Sequence, residues 1–181
     1  HGSPIYADNI AAQDAAAVAL LRAAGVAVLG KTVTAEFATY HPGPTVNPRK
    51  AGHTPGGSSS GSAAAVADGQ ADIAFGTQTA GSMSRPGSFC GTLAFKPTIG
   101  RYPVAGVLDT APSLDTLGLF ARNLDVLVAA DAVLTGAEAL ELLKAWGTGH
   151  PGGIATVHAG SAAGALTRLE QLVQEVSVTV P

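Results

Sequence analysis

The hydrophobic pattern alternates between helical and extended segments along the whole chain. Apolar or small residues at helical spacing predict five helices, at residues 11–24, 60–67, 124–134, 137–146 and 166–174. Short apolar runs predict strands at residues 26–29, 72–76, 93–95, 117–121, 154–158 and 176–180. Gly25 follows the first helix as a C-terminal glycine, and Asn123 precedes the third as an N-cap. Alternating helices and strands are typical of an α/β fold with a mixed or mostly parallel sheet.

Turn-rich stretches divide this pattern. Residues 40–57 and the connection that ends at Pro112 read as loops rich in Pro and Gly. The stretch 147–153 is the one plausible boundary, so we predict a core over residues 1–146 and a strand–helix–strand segment over 147–181 that begins the C-terminal half of the same domain. The chain opens at His1 without methionine and stops after an apolar run, so we expect it to be part of a larger protein.

Composition and charge narrow the functional classes. The 181 residues are 46% hydrophobic and 13% charged, which argues against a disordered chain. The net charge of −3 comes without any basic cluster, so we expect no nucleic-acid partner. No apolar run is long enough for a membrane span, and there is no charged-then-apolar leader, so we expect a soluble cytoplasmic protein. A single cysteine, Cys90, excludes an internal disulfide, and no His, Cys and Asp cluster has metal-ligand spacing.

Two motifs match known patterns but lack the required context. Gly25, Gly30, Lys31 and Thr32 satisfy the phosphate-binding loop pattern, yet a helix precedes them and apolar residues fill the loop. Residues 57–61 satisfy the G-x-S-x-G pattern, which would make Ser59 a hydrolase nucleophile, but a turn-rich loop precedes them where that motif needs a strand. We keep nucleotide binding and the Ser/His/Asp hydrolase as minor alternatives.

A third signal is the pairing of Gly56-Gly57-Ser58-Ser59-Ser60-Gly61-Ser62 with Thr77-Gln78-Thr79-Ala80-Gly81-Ser82. The second segment leaves a strand and enters a turn of small residues, where a carbonyl can approach the backbone closely. Successive N–H groups in such a turn can converge on one oxygen, as an oxyanion hole requires.

These paired serine motifs resemble the signature of the amidase signature family. The similarity extends upstream through residues 23–32 and 36–38, and downstream through 89–91, 95–98 and 113–116. The resemblance implies α/β/α layers around a mixed β-sheet, incomplete in this chain. It also implies hydrolysis of a carboxamide C–N bond in a small-molecule substrate through a serine acyl-enzyme, with no metal or organic cofactor and with a homodimer as one option.

The family's Ser–Ser–Lys triad can be carried over to numbered positions. Ser82 resembles the nucleophile, and Ser58, which in the family usually follows a cis peptide bond, resembles the serine that relays its proton. The N–H groups of Thr79, Ala80, Gly81 and Ser82 resemble the oxyanion hole. The resemblance assigns supporting roles to Thr77, Arg85, Asp115 and Ser59, and leaves open whether Arg85 and Asp115 pair. This assignment requires the hydroxyls of Ser58 and Ser82 to lie side by side beside a cleft.

The third member of the triad has no counterpart in the chain. In the family, the catalytic lysine lies in a Lys-Asp segment shortly before the position of Gly2. Lys31 and Lys96 match family positions that are not catalytic. Two alternatives therefore stay open besides a hydrolase: a non-catalytic truncated or decayed relative, and an amidotransferase subunit that takes ammonia from glutamine.

Overall fold

The computed structural model describes the backbone of residues 1–147 and the side chains of residues 1–136. The chain divides into two compact units, His1–Asp131 and Ala132–Pro181. All the candidate site residues lie in the first unit. The strand–helix–strand segment predicted at residues 147–181 lies outside the described residues, apart from its first residue.

Four helices and three strands form the described part. They are, in chain order, α1 (Ala16–Ala23), α2 (Ser60–Ala67), β1 (Ile73–Gln78), α3 (Ser84–Cys90), β2 (Leu93–Phe95), β3 (Thr116–Ala121) and α4 (Leu124–Gly147). Two short 3-10 segments, Pro4–Tyr6 and Glu36–Ala38, accompany them. No helix in this part of the chain combines the length and the apolar composition that a membrane crossing needs.

The three strands form one sheet in the order β1-β3-β2. Both outer strands run antiparallel to β3, with Ile73 and Leu93 each aligned with Ala121. β1 and β2 are thus parallel to each other, as a strand–helix–strand unit predicts, but β3 lies between them. Every hydrogen-bonded pair among the described strands is antiparallel, so the parallel pairing that the alternating pattern favoured is not present there.

The core of this unit lies between the sheet and the two helices α2 and α3. Ala63 and Val66 of α2 pack with Met83, Cys90 and Phe120 in one buried cluster. β3 is the central strand of the sheet, and it is buried at every position. The small residues of α2 let its backbone approach the strands closely, so the segment that precedes α2 is held next to the end of β1.

Several predicted elements are confirmed. α2 and β2 have the predicted bounds, and α1 begins five residues later than predicted. Gly25 has φ +90°, and the N–H groups of Gly25 and Val26 donate to the carbonyls of Arg22 and Leu21 at 3.0 Å each. This is a Schellman motif, which explains why α1 ends there. The Asn123 side chain accepts from Val126 N at 2.9 Å and so caps α4 as predicted.

Two predictions are wrong. Residues 26–29 form no strand, and Leu29 is 77% exposed. An apolar run becomes a strand only where another strand supplies hydrogen-bond partners, and none of β1, β2 and β3 pairs with this one. The two helices predicted over residues 124–146 are one continuous helix, α4. Its Gly136 does not interrupt it, because a glycine inside a helix costs only about 1 kcal/mol relative to alanine.

Candidate active site

Ser58 and Ser82 line the same cleft, which has a volume of about 500 Å³. The loop before α2 supplies Ser58, and the turn between β1 and α3 supplies Ser82. The two segments touch directly, since Ser59 N donates to the Ser82 carbonyl at 3.3 Å. Thr79, Ala80, Gly81 and Arg85 line the same cleft. The two serine motifs of the sequence therefore meet at one site.

Ser58 is buried, with 3% of its surface exposed. Its carbonyl accepts from Ala35 N at 2.9 Å and from Thr34 Oγ1 at 3.0 Å. The peptide bond Gly57–Ser58 is cis. The Ser58 hydroxyl, in contrast, has no hydrogen-bond partner among the described residues. The two serines share the cleft, but no hydrogen bond joins their hydroxyls, so the side-by-side contact expected from the sequence is not made. A buried polar atom without a partner costs about 1–3 kcal/mol, so this hydroxyl is available to a group that those residues do not supply.

The turn that carries Ser82 presents free backbone donors. In the described part of the chain, the N–H groups of Ala80, Gly81 and Ser82 donate to no backbone or side-chain acceptor. All three residues line the cleft. Neighbouring unpaired amides at the edge of a cleft can hold a negatively charged oxygen.

The side chain of Gln78 fixes one end of this turn. Its Oε1 accepts from the backbone N–H groups of Met83 at 2.8 Å and Ser84 at 2.9 Å, and also from Ser84 Oγ at 3.2 Å. Gln78 is buried, as is Met83, which anchors the start of α3 in the core. No role was predicted for Gln78 from the sequence. The signal was its place at the end of a strand and before a helix whose first N–H groups need acceptors.

Asp115 fixes the other end of the turn. Its Oδ1 accepts from the Thr79 hydroxyl, and its Oδ2 accepts from the N–H groups of Thr110 at 2.6 Å and Ala111 at 2.8 Å. Burial acts to raise the pKa of the Asp115 carboxyl, but these three hydrogen bonds together hold that pKa below its usual value. Among the described residues, Asp115 forms no ion pair with Arg85.

Ser59 and Thr77 connect the start of α2 to β1. The Ser59 hydroxyl accepts a hydrogen bond from Thr77 N at 3.2 Å and donates one to the Thr77 carbonyl oxygen at 3.3 Å. Ser59 is buried and does not line the cleft with Ser58 and Ser82. Both residues therefore contact the segments that carry the two serines rather than the cleft itself.

The remaining motif residues lie in other surroundings. Cys90 is buried in the core, where burial raises the pKa of its thiol and nearby Arg49 acts to lower it. Lys31 and Thr32 follow residues that form no strand, and no α-helix begins after them before residue 60, so the geometry of a phosphate-binding loop is not present. The described residues contain no group of three or more His, Cys, Asp or Glu that could hold a metal ion.

A comparison with known protein families shows to which family the chain belongs. The family model described as Amidase matches residues 1–142. The chain belongs to the Amidase family. The expected amidase signature fold is confirmed for the matched part, which is an incomplete portion of that fold. A second family model, described as Type II/IV secretion system protein, matches residues 132–178, which include the end of the Amidase match.

Individual members of the Amidase family resemble the chain over the same region. The A subunit of the glutamyl-tRNA(Gln) amidotransferase of Treponema pallidum (strain Nichols) is 47% identical over 141 residues, covering 75% of this chain and 28% of that protein.

Two solved structures share the fold of the described part. One, from a vestigial protein complex described as revealing the evolutionary origins of an s-triazine catabolic enzyme, has a TM-score of 0.69 at 39% identity and covers 74% of this chain and 31% of its own. The other, an amidase family protein from Bacillus anthracis str. Ames, has a TM-score of 0.67 at 36% identity, with 75% and 29% covered. The chain thus spans less than a third of the length of each of these relatives.

Proposed function

We propose that this chain carries the nucleophile half of a serine amidase site, which cleaves a carboxamide C–N bond through an acyl-enzyme. The observation that carries the proposal is the shared cleft of Ser58 and Ser82, lined also by the unpaired amides of Ala80 and Gly81. Membership in the Amidase family supports hydrolase or amidotransferase chemistry in general.

In this mechanism Ser82 Oγ attacks the amide carbonyl and forms a tetrahedral intermediate. The N–H groups of Thr79, Ala80, Gly81 and Ser82 stabilise its oxyanion. The Ser82 proton passes to Ser58, and the Ser58 proton passes to a base. The same route returns a proton to the leaving amine, and water then hydrolyses the acyl-enzyme.

We propose that the base is the neutral amine of a lysine, as in the Ser–Ser–Lys triad. The buried Ser58 hydroxyl supports this, since it has no partner among the described residues and can donate to an added amine. None of the described lysines bonds to it, and Lys96 Nζ donates instead to the Pro97 carbonyl at 2.9 Å. Thr77, Ser59 and Asp115 support the reaction by holding the two serine segments in place.

The same site chemistry serves a second candidate function, the release of ammonia from glutamine in an amidotransferase. The curated relatives are named as the A subunits of glutamyl-tRNA(Gln) amidotransferases, which favours this candidate and a different partner chain over a homodimer. In either case we propose a small-molecule amide as substrate, no cofactor, and a location in the cytoplasm.

Covalent labelling of the full-length protein with a serine-directed fluorophosphonate tests the proposal. We expect labelling at Ser82, loss of labelling in Ser82→Ala, and a fall of about 10⁴- to 10⁶-fold in the kcat of amide hydrolysis. Ser58→Ala slows labelling by about 10²- to 10⁴-fold, because the proton relay is lost. Ser88→Ala, an exposed serine on α3, is the matched control and reacts like the wild type.

The outcomes of this labelling separate the proposal from the alternatives. An unlabelled wild-type protein would support the non-catalytic alternative, and labelling that survives in Ser82→Ala would remove Ser82 from its role. Ammonia release from simple carboxamides without a partner supports a free-standing amidase. Release of ammonia from glutamine but not from other carboxamides supports the amidotransferase, provided that it occurs only after a partner protein is added.

A further inference from the structure

Two exposed aromatic side chains line the cleft that holds the two serines. Tyr40 has 97% of its surface exposed and Phe89 has 50%, and both belong to the lining of this cleft. Neither ring packs against another aromatic ring among the described residues. The amidase chemistry described above needs serines, backbone amides and a base, and it gives these rings no task. Large apolar side chains that stay exposed inside a cleft are typical of a surface that binds a ligand.

The loop that follows Ala35 carries Tyr40 to the segment of Ser58. Ala35 N donates to the Ser58 carbonyl at 2.9 Å, so the loop starts in direct contact with this serine. Glu36 N donates to the His41 carbonyl at 2.9 Å, which closes the loop one residue after Tyr40. The loop therefore presents the tyrosine ring on the side of the cleft where Ser58 lies.

Two residues of this loop adopt a backbone conformation that side chains disfavour. Phe37 has φ +49° and Ala38 has φ +57°, both in the left-handed region that favours glycine. Phe37 N donates to the His1 carbonyl at 2.9 Å, and the Phe37 ring packs edge-on against Tyr6 with the ring centroids 6.1 Å apart. Such conformations persist at sites where they place a side chain for function, and Tyr40 follows two residues later.

Phe89 reaches the segment of Ser58 from α3. An added Cβ at Gly56 would lie 3.3 Å from Phe89 Cδ2, so the ring covers a glycine two residues before Ser58. The buried side chain of Asn47 holds the backbone of Phe89, because its Nδ2 donates to the Phe89 carbonyl at 2.9 Å. Both aromatic rings are thus placed beside the segment that carries Ser58, whereas the unpaired amides lie on the turn between β1 and α3.

We propose that Tyr40 and Phe89 bind an aromatic ring on the amine portion of the substrate, so that the site prefers secondary amides of arylmethylamines. This inference rests on the proposed amidase function and names the class of amine that leaves. In that mechanism the bond from Ser82 Oγ to the acyl carbon forms, the C–N bond breaks, and the amine leaves with the proton that Ser82 gave up.

The path of this proton places the amine portion beside the two rings. Because the proton reaches the leaving amine through Ser58, the amine lies on the side of the cleft where Tyr40 and Phe89 are. Aromatic rings bury a large apolar area and attract one another in offset or edge-on pairs. An arylmethylamine therefore gains more from this side of the cleft than ammonia or a small aliphatic amine.

Steady-state hydrolysis of two isomeric amides by the full-length protein tests the proposal. N-benzylacetamide carries its ring on the amine portion, and N-methyl-2-phenylacetamide carries the same ring on the acyl portion. We expect kcat/KM to be about 10- to 100-fold higher for N-benzylacetamide. Tyr40→Leu and Phe89→Leu each lower this ratio about 3- to 10-fold, whereas Tyr40→Phe keeps it because the ring stays and only the hydroxyl is lost.

Two controls isolate the effect of the rings. Ile10→Ala alters an apolar side chain that is 91% exposed and lies outside the cleft, so the ratio stays unchanged. N-(cyclohexylmethyl)acetamide has a saturated ring of similar size, and we expect its kcat/KM to be about 2- to 10-fold lower than that of N-benzylacetamide, because a saturated ring does not stack.

The possible results separate this inference from the amidase function. Turnover of both isomers with a ratio that neither leucine variant changes overturns the inference and keeps the amidase function. A preference for N-methyl-2-phenylacetamide that these variants reduce also overturns it, as does an equal fall of kcat/KM for both isomers. Labelling of Ser82 without turnover of either isomer overturns the inference alone. If neither labelling nor turnover occurs, the amidase function is overturned together with the inference.

Discussion

At the scale of single residues, the buried side chain of Gln78 and the half-buried side chain of Asp115 hold the turn between β1 and α3. Gln78 accepts from the backbone at residues 83 and 84, and Asp115 accepts from the Thr79 hydroxyl. In the part of the chain that the structure describes, the N–H groups of Ala80, Gly81 and Ser82 between these two anchors find no acceptor, and these residues line the cleft. Because these amides are unpaired, hydrogen bonds within the turn contribute little to its stability. Its conformation therefore depends on the side chains that form hydrogen bonds with its two ends.

Gln78→Met tests the first anchor. The substitution keeps the length of the side chain but removes the acceptor, and leaves the N–H groups of Met83 and Ser84 without a partner. We expect a loss of about 1–3 kcal/mol in the free energy of unfolding, measured by urea denaturation. We also expect slower phosphonate labelling of Ser82, because the start of α3 is no longer held.

Two further variants help to interpret the Gln78→Met result. Gln78→Glu restores an acceptor and recovers most of the labelling rate. Gln70→Met, which alters an exposed glutamine bonded to Asp68 at 2.7 Å, is the matched control and changes stability by less than about 0.5 kcal/mol. A normal labelling rate in a destabilised Gln78→Met protein would show that Gln78 stabilises the fold without positioning Ser82.

Asp115→Asn tests the second anchor through its pH dependence. The pKa of Asp115 in the folded protein lies below its ordinary value of 3.8. Its ionised form therefore contributes stability that is fully present above about pH 4 and is lost as the pH falls through the lower folded-state value. We expect wild type and Asp115→Asn to differ by a constant free energy of unfolding near neutral pH, and to converge as the pH falls below about 4.

Urea denaturation at a series of pH values between about 2 and 7 measures this convergence. Asp109→Asn is the control, because Asp109 is exposed and its carboxylate makes no hydrogen bond with the described residues. A difference between wild type and Asp115→Asn that did not change with pH would contradict the role given to the ionised carboxylate.

At the scale of elements, the close approach of α2 to residues 32–34 positions Ser58. Gly61 N donates to the Val33 carbonyl at 2.8 Å, and the hydroxyls of Thr32 and Ser62 lie 2.7 Å apart. From the same segment, Thr34 Oγ1 donates a hydrogen bond to the Ser58 carbonyl. The residues of α2 that make this contact are small, so the backbone of α2 can lie close to residues 32–34.

Gly61→Ala tests that approach. An added Cβ would lie 2.5 Å from Val33 N and 2.7 Å from Val33 O, so the backbone itself must move. We expect the free energy of unfolding to fall by about 1–3 kcal/mol, the usual cost of overpacking, and Ser82 labelling to slow as Ser58 shifts. Thermal and urea denaturation measure the first effect.

Gly136→Ala is the matched substitution on another helix. Among the described residues, no atom lies within 4 Å of an added Cβ there, so alanine should stabilise α4 by about 0.5–1 kcal/mol through helix propensity alone. If the two glycine variants had the same effect on stability, the contact between α2 and residues 32–34 would not be the cause.

At the scale of the whole molecule, the first unit belongs to a confirmed family but contains only part of that family's fold. The Amidase match ends at residue 142, and the first compact unit ends at Asp131. Within that unit, α4 is tied to the connection after β2: Asp131 accepts from Arg101 and from the hydroxyl of buried Tyr102 at 2.7 Å. Burial, and then the hydrogen bond to Asp131, raise the pKa of Tyr102. The assignment of residues 147–181 to the same domain stays a prediction.

Local signals in the amino-acid sequence were enough to predict several elements and the family. Helix α2, strand β2, the C-terminal end of α1 and the start of α4 follow from propensity, glycine placement and capping, which act between neighbours in the chain. The paired serine motifs indicated the two segments of the site, because such a combination of Gly and Ser is rarely needed for turns alone.

Only the tertiary structure, in contrast, decides which hydrogen-bond and packing partners a residue meets. Three features depend on groups distant in the sequence: the exposure of residues 26–29, the central antiparallel position of β3, and the hydrogen bond from Thr79 to Asp115. A strand needs another strand, and a buried donor needs an acceptor, whichever part of the chain supplies it. Hydrophobic pattern and spacing specify which residues need such partners, whereas packing of the complete backbone specifies which partners they find.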